Sequence, residues 1–117
     1  MWLETKGAFV EMRYNKIVRD RIPEIIKADQ KECFTKEVTG TEKLNYLLEK
    51  LIEESEELTE SKSIEELADV QEVLNAIAFS LGFALDDLEQ ARKKKYDERG
   101  GFEKGIVLLE VNQNKDE

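Results

Sequence analysis

The stretch KLIEESEELTESKSIEELADVQE, residues 50–72, decides how this chain is read. Its first acidic cluster is Glu53, Glu54, Glu56 and Glu57, late in one amphipathic segment. Its second is Glu66 and Asp69, in the opening turns of the next. As spacing this is EExxE followed, nine residues on, by ExxD. Glu60-Ser61-Lys62-Ser63 lies between them as a turn, and Ser63 with Glu66 has the Ser-x-x-Glu spacing of a capping box. Two helices joined there form an antiparallel hairpin that sets the clusters face to face. Converging carboxylates repel one another unless a cation sits between them. Oxygen-only ligands suit a hard divalent ion, Mg²⁺ above all, with Mn²⁺ able to substitute.

Working outward, the first helix is expected from about Glu42 to Glu60, opened by Thr39 and Glu42 at capping-box spacing. At about 100° per residue, Leu44, Leu47, Leu48, Leu51, Ile52, Ser55 and Leu58 share one face. Glu54 falls at the edge of that face and Glu57 further round. Glu53 lies nearly opposite its centre and needs a neighbour on its own side. Glu49, Glu56 and Glu60 fall on the outer, solvated arc. The second helix is expected from about Ile64 to Gly82. Its Leu67, Val70, Val73, Leu74, Ile77, Ala78 and Leu81 cover more than half the circumference, a width that calls for burial on more than one side. A homodimer or homotetramer is therefore expected, with Val73, Ile77 and Leu81 close to or inside the intersubunit core.

Upstream, residues 14–21, YNKIVRDR, form a basic segment ahead of a short helix, with Asp20 as N-cap and Pro23 in the first turn. Lys16, Arg19 and Arg21 read as a solvated patch, or Lys16 and Arg19 as contacts to an anion. Residues 32–39, ECFTKEVT, and 106–111, IVLLEV, are each expected as a short strand, the two pairing at the edge of the helices. A third helix starts at Asp86 or Asp87 and runs from Leu88 to about Glu98. Lys95 and Arg99, four residues apart, project together beside Gly100 and Gly101, which permit close approach of the backbone to a ligand. Residues 1–12 read as an N-terminal extension and 112–117 as a polar tail.

A chain of 117 residues holds one domain. The acidic residues number 27 against 18 basic ones, a net charge of −9, which argues against a nucleic-acid partner. Histidine is absent. That excludes histidine triads, bases and metal ligands, and leaves the chemistry to carboxylates, a bound metal, Lys, Tyr and hydroxyls. Cys33 is the only cysteine, so no internal disulfide forms. No apolar run reaches membrane-spanning length and the start lacks signal-peptide order, so a cytoplasmic place without a membrane partner is expected. The bland reading of the glutamates is a solvated helix face, and of Glu66 a capping role at a helix N-terminus.

At these residues the chain resembles a known superfamily. Glu53-Glu54-x-x-Glu57 followed by Glu66-x-x-Asp69 is similar to the metal-binding signature of the all-α nucleoside triphosphate pyrophosphohydrolases. These include MazG-like enzymes, dimeric dUTPases and phosphoribosyl-ATP pyrophosphohydrolases. Residues 14–24, YNKIVRDRIPE, and Arg99-Gly100-Gly101-Phe102 resemble, more narrowly, the small MazG-like or phosphoribosyl-ATP pyrophosphohydrolase-like proteins. The resemblance spans about residues 13–111. It implies a mainly α fold, a single helical bundle completed by oligomerisation with one or two short peripheral strands.

The resemblance also implies Mg²⁺-dependent cleavage of a nucleoside triphosphate, canonical or not, between its α and β phosphates, a house-cleaning activity. The acidic set carried over is Glu53, Glu54, Glu57, Glu66 and Asp69. Of these, Glu54, Glu57 and Asp69 are expected as direct ligands and Glu53 or Glu66 as the base. Lys95 and Arg99 resemble a Lys-x-x-x-Arg element that contacts phosphates, with Lys16 and Arg19 next in line. The chain departs from the pattern in two places. The gap between its acidic clusters is shorter than in dimeric dUTPases, and Lys93 stands where an asparagine often precedes the lysine. A phosphoribosyl-ATP-type hydrolase and a non-catalytic helical interaction module are the rival readings.

Overall fold

The computed structural model describes residues 14–113, so the extension read over residues 1–12 lies outside the described residues. Contacts divide the chain after Phe83 into two compact units. The first holds α1 (Ile22–Ala28), α2 (Gly40–Ser61) and α3 (Ile64–Ser80); the second holds α4 (Leu85–Arg99).

In α1, Pro23 occupies the first turn, where its missing N–H is no loss. The cap residue is Arg21 and not Asp20, and no side chain caps this end. Asp20 and Arg21 instead form a turn in which the Ile22 amide donates to the Arg19 carbonyl at 3.1 Å. That backbone bond satisfies an amide the Asp20 carboxylate was expected to serve.

α2 opens at Gly40, and Thr39 makes no side-chain cap bond. The expected Thr39–Glu42 capping box does not form, because the Glu42 carboxylate pairs with Lys36 at 3.3 Å. The helix ends where Lys62 takes a left-handed conformation (φ 51°) and donates its amide to the Leu58 carbonyl at 2.8 Å. Lys62 and Ser63 alone connect α2 to α3, so the two helices turn back on each other and pack as a hairpin. The Ser63 hydroxyl accepts the Glu66 amide at 3.2 Å. This is one half of the expected capping box; the Glu66 carboxylate faces Glu54 and Asp69 instead of returning to Ser63.

α3 stops at Ser80. Gly82 takes φ 84°, the Gly82 amide donates to Phe79 O at 3.0 Å, and the Phe83 amide donates to Ala78 O at 2.9 Å. This is a Schellman ending, and it needs the left-handed residue that glycine supplies at no steric cost.

The packed seam follows from spacing. On α2, Leu44, Leu47, Leu51, Glu54 and Leu58 lose exposure, at steps of three and four residues. On α3, Glu66, Val70, Val73 and Ile77 do the same. Leu47, Val73 and Ala78 are the buried apolar residues among those described. Val73 therefore belongs to the hairpin's own seam. The rest of the wide apolar face is open: Ile52 is 62% exposed, Leu67 52%, Phe79 61% and Leu81 52%.

The expected strands are a correction. Residues 32–39 and 106–111 carry no ladder, and the described residues contain no β-structure. Strand propensity measures fit to a pleated, half-buried surface, and a lone pair of strands is marginal in water. Ile106 and Leu109 of the second segment are 80% and 90% exposed, so no such surface covers them. The fold is all-helical. α4 begins at Leu85, three residues before Leu88, because Asp87 sits inside its first turn. From there its carboxylate accepts the Ala84 amide at 2.9 Å. Among the described residues, no single helix is long and apolar enough to cross a membrane.

Candidate metal centre

Glu54 lies in the α2 seam itself, in line with Leu47, Leu51 and Leu58, and is 6% exposed. The sequence reading put it at the edge of the apolar face, because that reading averaged in Leu48 and Ile52, which the structure leaves exposed. From the seam Glu54 meets both acidic clusters. One carboxylate oxygen from each of Glu53, Glu54 and Glu57 lies within 4.8 Å of the others. The same holds for Glu54, Glu66 and Asp69. Glu54 belongs to both triads, so all five acidic residues selected from sequence converge. Glu49, Glu56 and Glu60 are exposed, as the helical spacing requires.

The electrostatics of the cluster are asymmetric. Glu53 is held by cations on both oxygens: Lys16 Nζ lies 2.8 Å from Oε1 and Lys50 Nζ 3.3 Å from Oε2. Burial works to raise its carboxyl, but the hydrogen bond from Lys16 and the proximity of Lys50 prevail and hold it below the usual range. Asp69 receives Arg19 Nη2 at 2.6 Å. Lys50 also approaches Glu54 Oε1 at 3.4 Å. Against these, Oε2 of Glu54 and Oε2 of Glu66 are buried and have no hydrogen-bond partner. Burial, then the Glu54 carboxylate beside it, then the charges of Glu57, Glu54 and Asp69 push the Glu66 carboxyl up to about 7. Burial and the charges of Glu54 and Glu53 raise Glu57 too.

The donor set fits a hard divalent cation. It is all oxygen, it is over-supplied with negative charge, and two of its oxygens are buried without a donor, the condition a cation relieves. Glu54 is placed to serve both triads. Glu53 and Glu57 lie with it on α2, and Glu66 and Asp69 reach it from α3.

Sequence reasoning missed two relationships. Lys50, three and four residues before Glu53 and Glu54, was legible as a helical neighbour of both. The docking of residues 14–19 was not, since Lys16 and Glu53 are 37 residues apart. This segment is the neighbour that Glu53 needed: Asn15 Oδ1 accepts the Tyr46 hydroxyl at 3.0 Å, and Lys16 and Arg19 then reach Glu53 and Asp69.

Lys95 and Arg99 lie on α4 in the second unit, both exposed. Arg99 is the last residue of the helix and borders a recess of about 410 Å³ lined by residues 99–106. The glycine pair is used locally. Gly100 takes φ 80°, and a Cβ on Gly101 would meet Glu103 Oε2 at 2.7 Å and the Tyr96 ring at 2.9 Å. Tyr96 Oη donates to Glu103 Oε1 at 3.2 Å, so the close approach at Gly101 is to the chain's own side chains.

Comparison with protein-family models, with characterised proteins and with solved structures gives no match for this chain.

Proposed function

We propose that this chain is a Mg²⁺-dependent nucleotide pyrophosphohydrolase of the all-α type, cleaving a nucleoside triphosphate between its α and β phosphates to the monophosphate and pyrophosphate. The observation that carries this reading is the pair of overlapping carboxylate triads sharing Glu54, with two buried oxygens unpartnered. A purely solvated acidic face would not bury Glu54 in the helix seam. The resemblance of the EExxE and ExxD spacing supplies the reaction class.

A divalent ion held by Glu54 with its partners in the two triads would supply charge neutralisation at the phosphates and polarise a water for attack. The chain's own residues supply the rest. Glu54 sits between the two triads. Glu53 has both oxygens engaged by lysines, whereas Glu66 keeps Oε2 free of any such partner. Glu66 is therefore the better candidate for taking a proton from water, a task that needs a carboxylate oxygen within reach of it. Lys16 and Arg19 stand beside the carboxylates as candidate phosphate contacts, while for Lys95 and Arg99 on α4 it is the resemblance that supports that role.

The reading includes self-association, supported by the exposed apolar face. A chain of this size can bury roughly two thirds of its unfolded surface, yet only Leu47, Val73 and Ala78 are buried apolar residues among those described. A second copy is the partner that covers such a face. Incubation with Mg²⁺ and a panel of canonical triphosphates, modified triphosphates and phosphoribosyl-ATP tests the function. Pyrophosphate release from one class identifies the substrate, and release from none refutes the activity.

A further inference from the structure

We propose that residues 14–21 form a cationic strap that occupies the carboxylates while no divalent ion is bound and passes to the phosphates of the ligand when one is. This rests on the metal-centre reading above and adds an exchange of cations to it. Lys16 takes one oxygen of Glu53, in the α2 triad, and Arg19 takes one oxygen of Asp69, in the triad shared with α3. The strap therefore grips the cluster at two separate points. A cation that draws on Glu53 and Asp69 must displace those contacts, so strap and ion compete for the same atoms. Neither strap residue reaches Glu54; its Oε1 meets Lys50, and its buried, unpartnered Oε2 is left to the ion.

The strap is built to let go without leaving. Asn15 accepts the Tyr46 hydroxyl at 3.0 Å, a contact that uses no carboxylate and persists when the cations move. Asn15 takes φ 45°, a left-handed turn that asparagine tolerates better than most residues and that sets the course of the chain into Lys16. The Lys16 and Arg19 side chains are 36% and 56% exposed, so both cations border solvent and can exchange one anionic partner for another. Once an ion neutralises the carboxylates, the released ammonium and guanidinium stand at the rim of the same cluster. There a phosphate carried by the ion is the nearest anion, and a guanidinium matches it in two-pronged geometry.

The test is calorimetric titration of the full chain, first with MgCl₂ alone and then with inorganic pyrophosphate in saturating Mg²⁺. The parent is compared with Lys16→Gln/Arg19→Gln, which keeps the polar stems, and with Lys43→Gln as a charge control. Removing the competitor should tighten Mg²⁺ binding by about threefold to tenfold, the scale of two partly exposed ion pairs. The same variant should bind pyrophosphate at least about tenfold more weakly once loaded with Mg²⁺, having lost two charge-assisted contacts. Lys43→Gln should move neither constant by more than about twofold, since exposed charges at a distance are screened.

This opposite movement of the two constants is what a merely structural role would not produce, as a loosened fold weakens both. Unchanged or weaker Mg²⁺ binding in the double variant overturns the competition. Tighter Mg²⁺ with unchanged pyrophosphate overturns the transfer. A parent that binds no Mg²⁺ overturns the metal-centre reading and the strap with it. Should the double variant lose its helical circular dichroism, the single substitutions are read by the same criteria, each carrying part of the effect.

Discussion

Glu54 of α2 and Glu66 of α3 converge across the hairpin with Oε2 of each buried and without a hydrogen-bond partner. An isolated buried carboxylate is disfavoured by its lost hydration, and two together add mutual repulsion. The metal-free hairpin relieves this in part with Lys50 and in part by keeping a proton on Glu66. A divalent cation would relieve it more completely.

Metal binding should therefore stabilise the fold. At a Mg²⁺ concentration about 100 times its dissociation constant, the gain is about 2.7 kcal/mol, and chelation should reverse it. Glu54→Gln should abolish the Mg²⁺-dependent rise in melting temperature, because Glu54 serves both triads. A Glu54→Gln protein that still shows the full rise would remove Glu54 from the ligand set.

The metal-free protein should also lose stability as pH rises. Glu66 holds its proton up to about 7 in the folded chain, against an ordinary value of 4.5. The folded chain therefore binds that proton more tightly than the unfolded one, and stability is fully present below about 4.5 and declines towards about 7. Glu57, also raised, acts in the same direction. Glu53, lowered by Lys16 and Lys50 against the effect of burial, acts oppositely and loses its contribution only as pH falls below the ordinary range. Chemical denaturation between pH 4.5 and 7.5 reads the balance, and Glu66→Gln should flatten the decline. An equal slope in parent and variant would place the titrating group elsewhere.

Asp69→Asn should abolish Mg²⁺-dependent pyrophosphate release. Its effect on the metal-free fold should be small, within about 1 kcal/mol. Loss of the Arg19 pair, 2.6 Å in length but partly exposed, opposes relief of the repulsion from Glu66 and Glu54. Sustained turnover in the variant would remove Asp69 from the site.

The open apolar face gives a prediction on assembly. Ile52 is 62% and Leu74 39% exposed, although both lie on helices that pack in the hairpin. Sedimentation velocity should find the parent as a dimer or larger at micromolar concentration. Ile52→Lys with Leu74→Lys should shift it to smaller species. A parent that sediments as a monomer would refute self-association.

The helical parts of this fold were legible because α2 and α3 carry sustained 3.6-residue periodicity, and the five-carboxylate cluster because its spacing fixes which residues face one another across a short turn. What failed depended on information outside the local window. Residues 32–39 and 106–111 have the composition of strands but no partner, and partners are not written in composition. Glu42 and Glu66 have capping-box spacing, yet Lys36 claims the first and the acidic cluster the second. The Lys16–Glu53 contact joins residues 37 apart, which no period can reveal. The placement of Glu54 in the seam, not at its edge, shows that the packed strip is narrower than the apolar face from which it was read.

Arg99 carries the last prediction. It ends α4, where a basic side chain is favourable beside the helix C-terminus without any ligand, and Gly100 at φ 80° turns the chain immediately after it. That accounts for a positive charge but not for an arginine in particular. Arg99 borders the recess of about 410 Å³ over residues 99–106, and its planar fork can hold phosphate oxygens in two-pronged geometry, which a point charge cannot copy. If Arg99 grips a phosphate of the substrate, Arg99→Lys keeps the charge and loses the two-pronged contact. Turnover should fall by about tenfold, or roughly 1.4 kcal/mol of transition-state stabilisation. The Mg²⁺-induced rise in melting temperature should be unchanged, since no carboxylate of the cluster is touched. Steady-state kinetics of Arg99→Lys and Arg99→Ala decide the matter. If both turn over like the parent, Arg99 serves only the helix end, and the phosphate falls to Lys16 and Arg19.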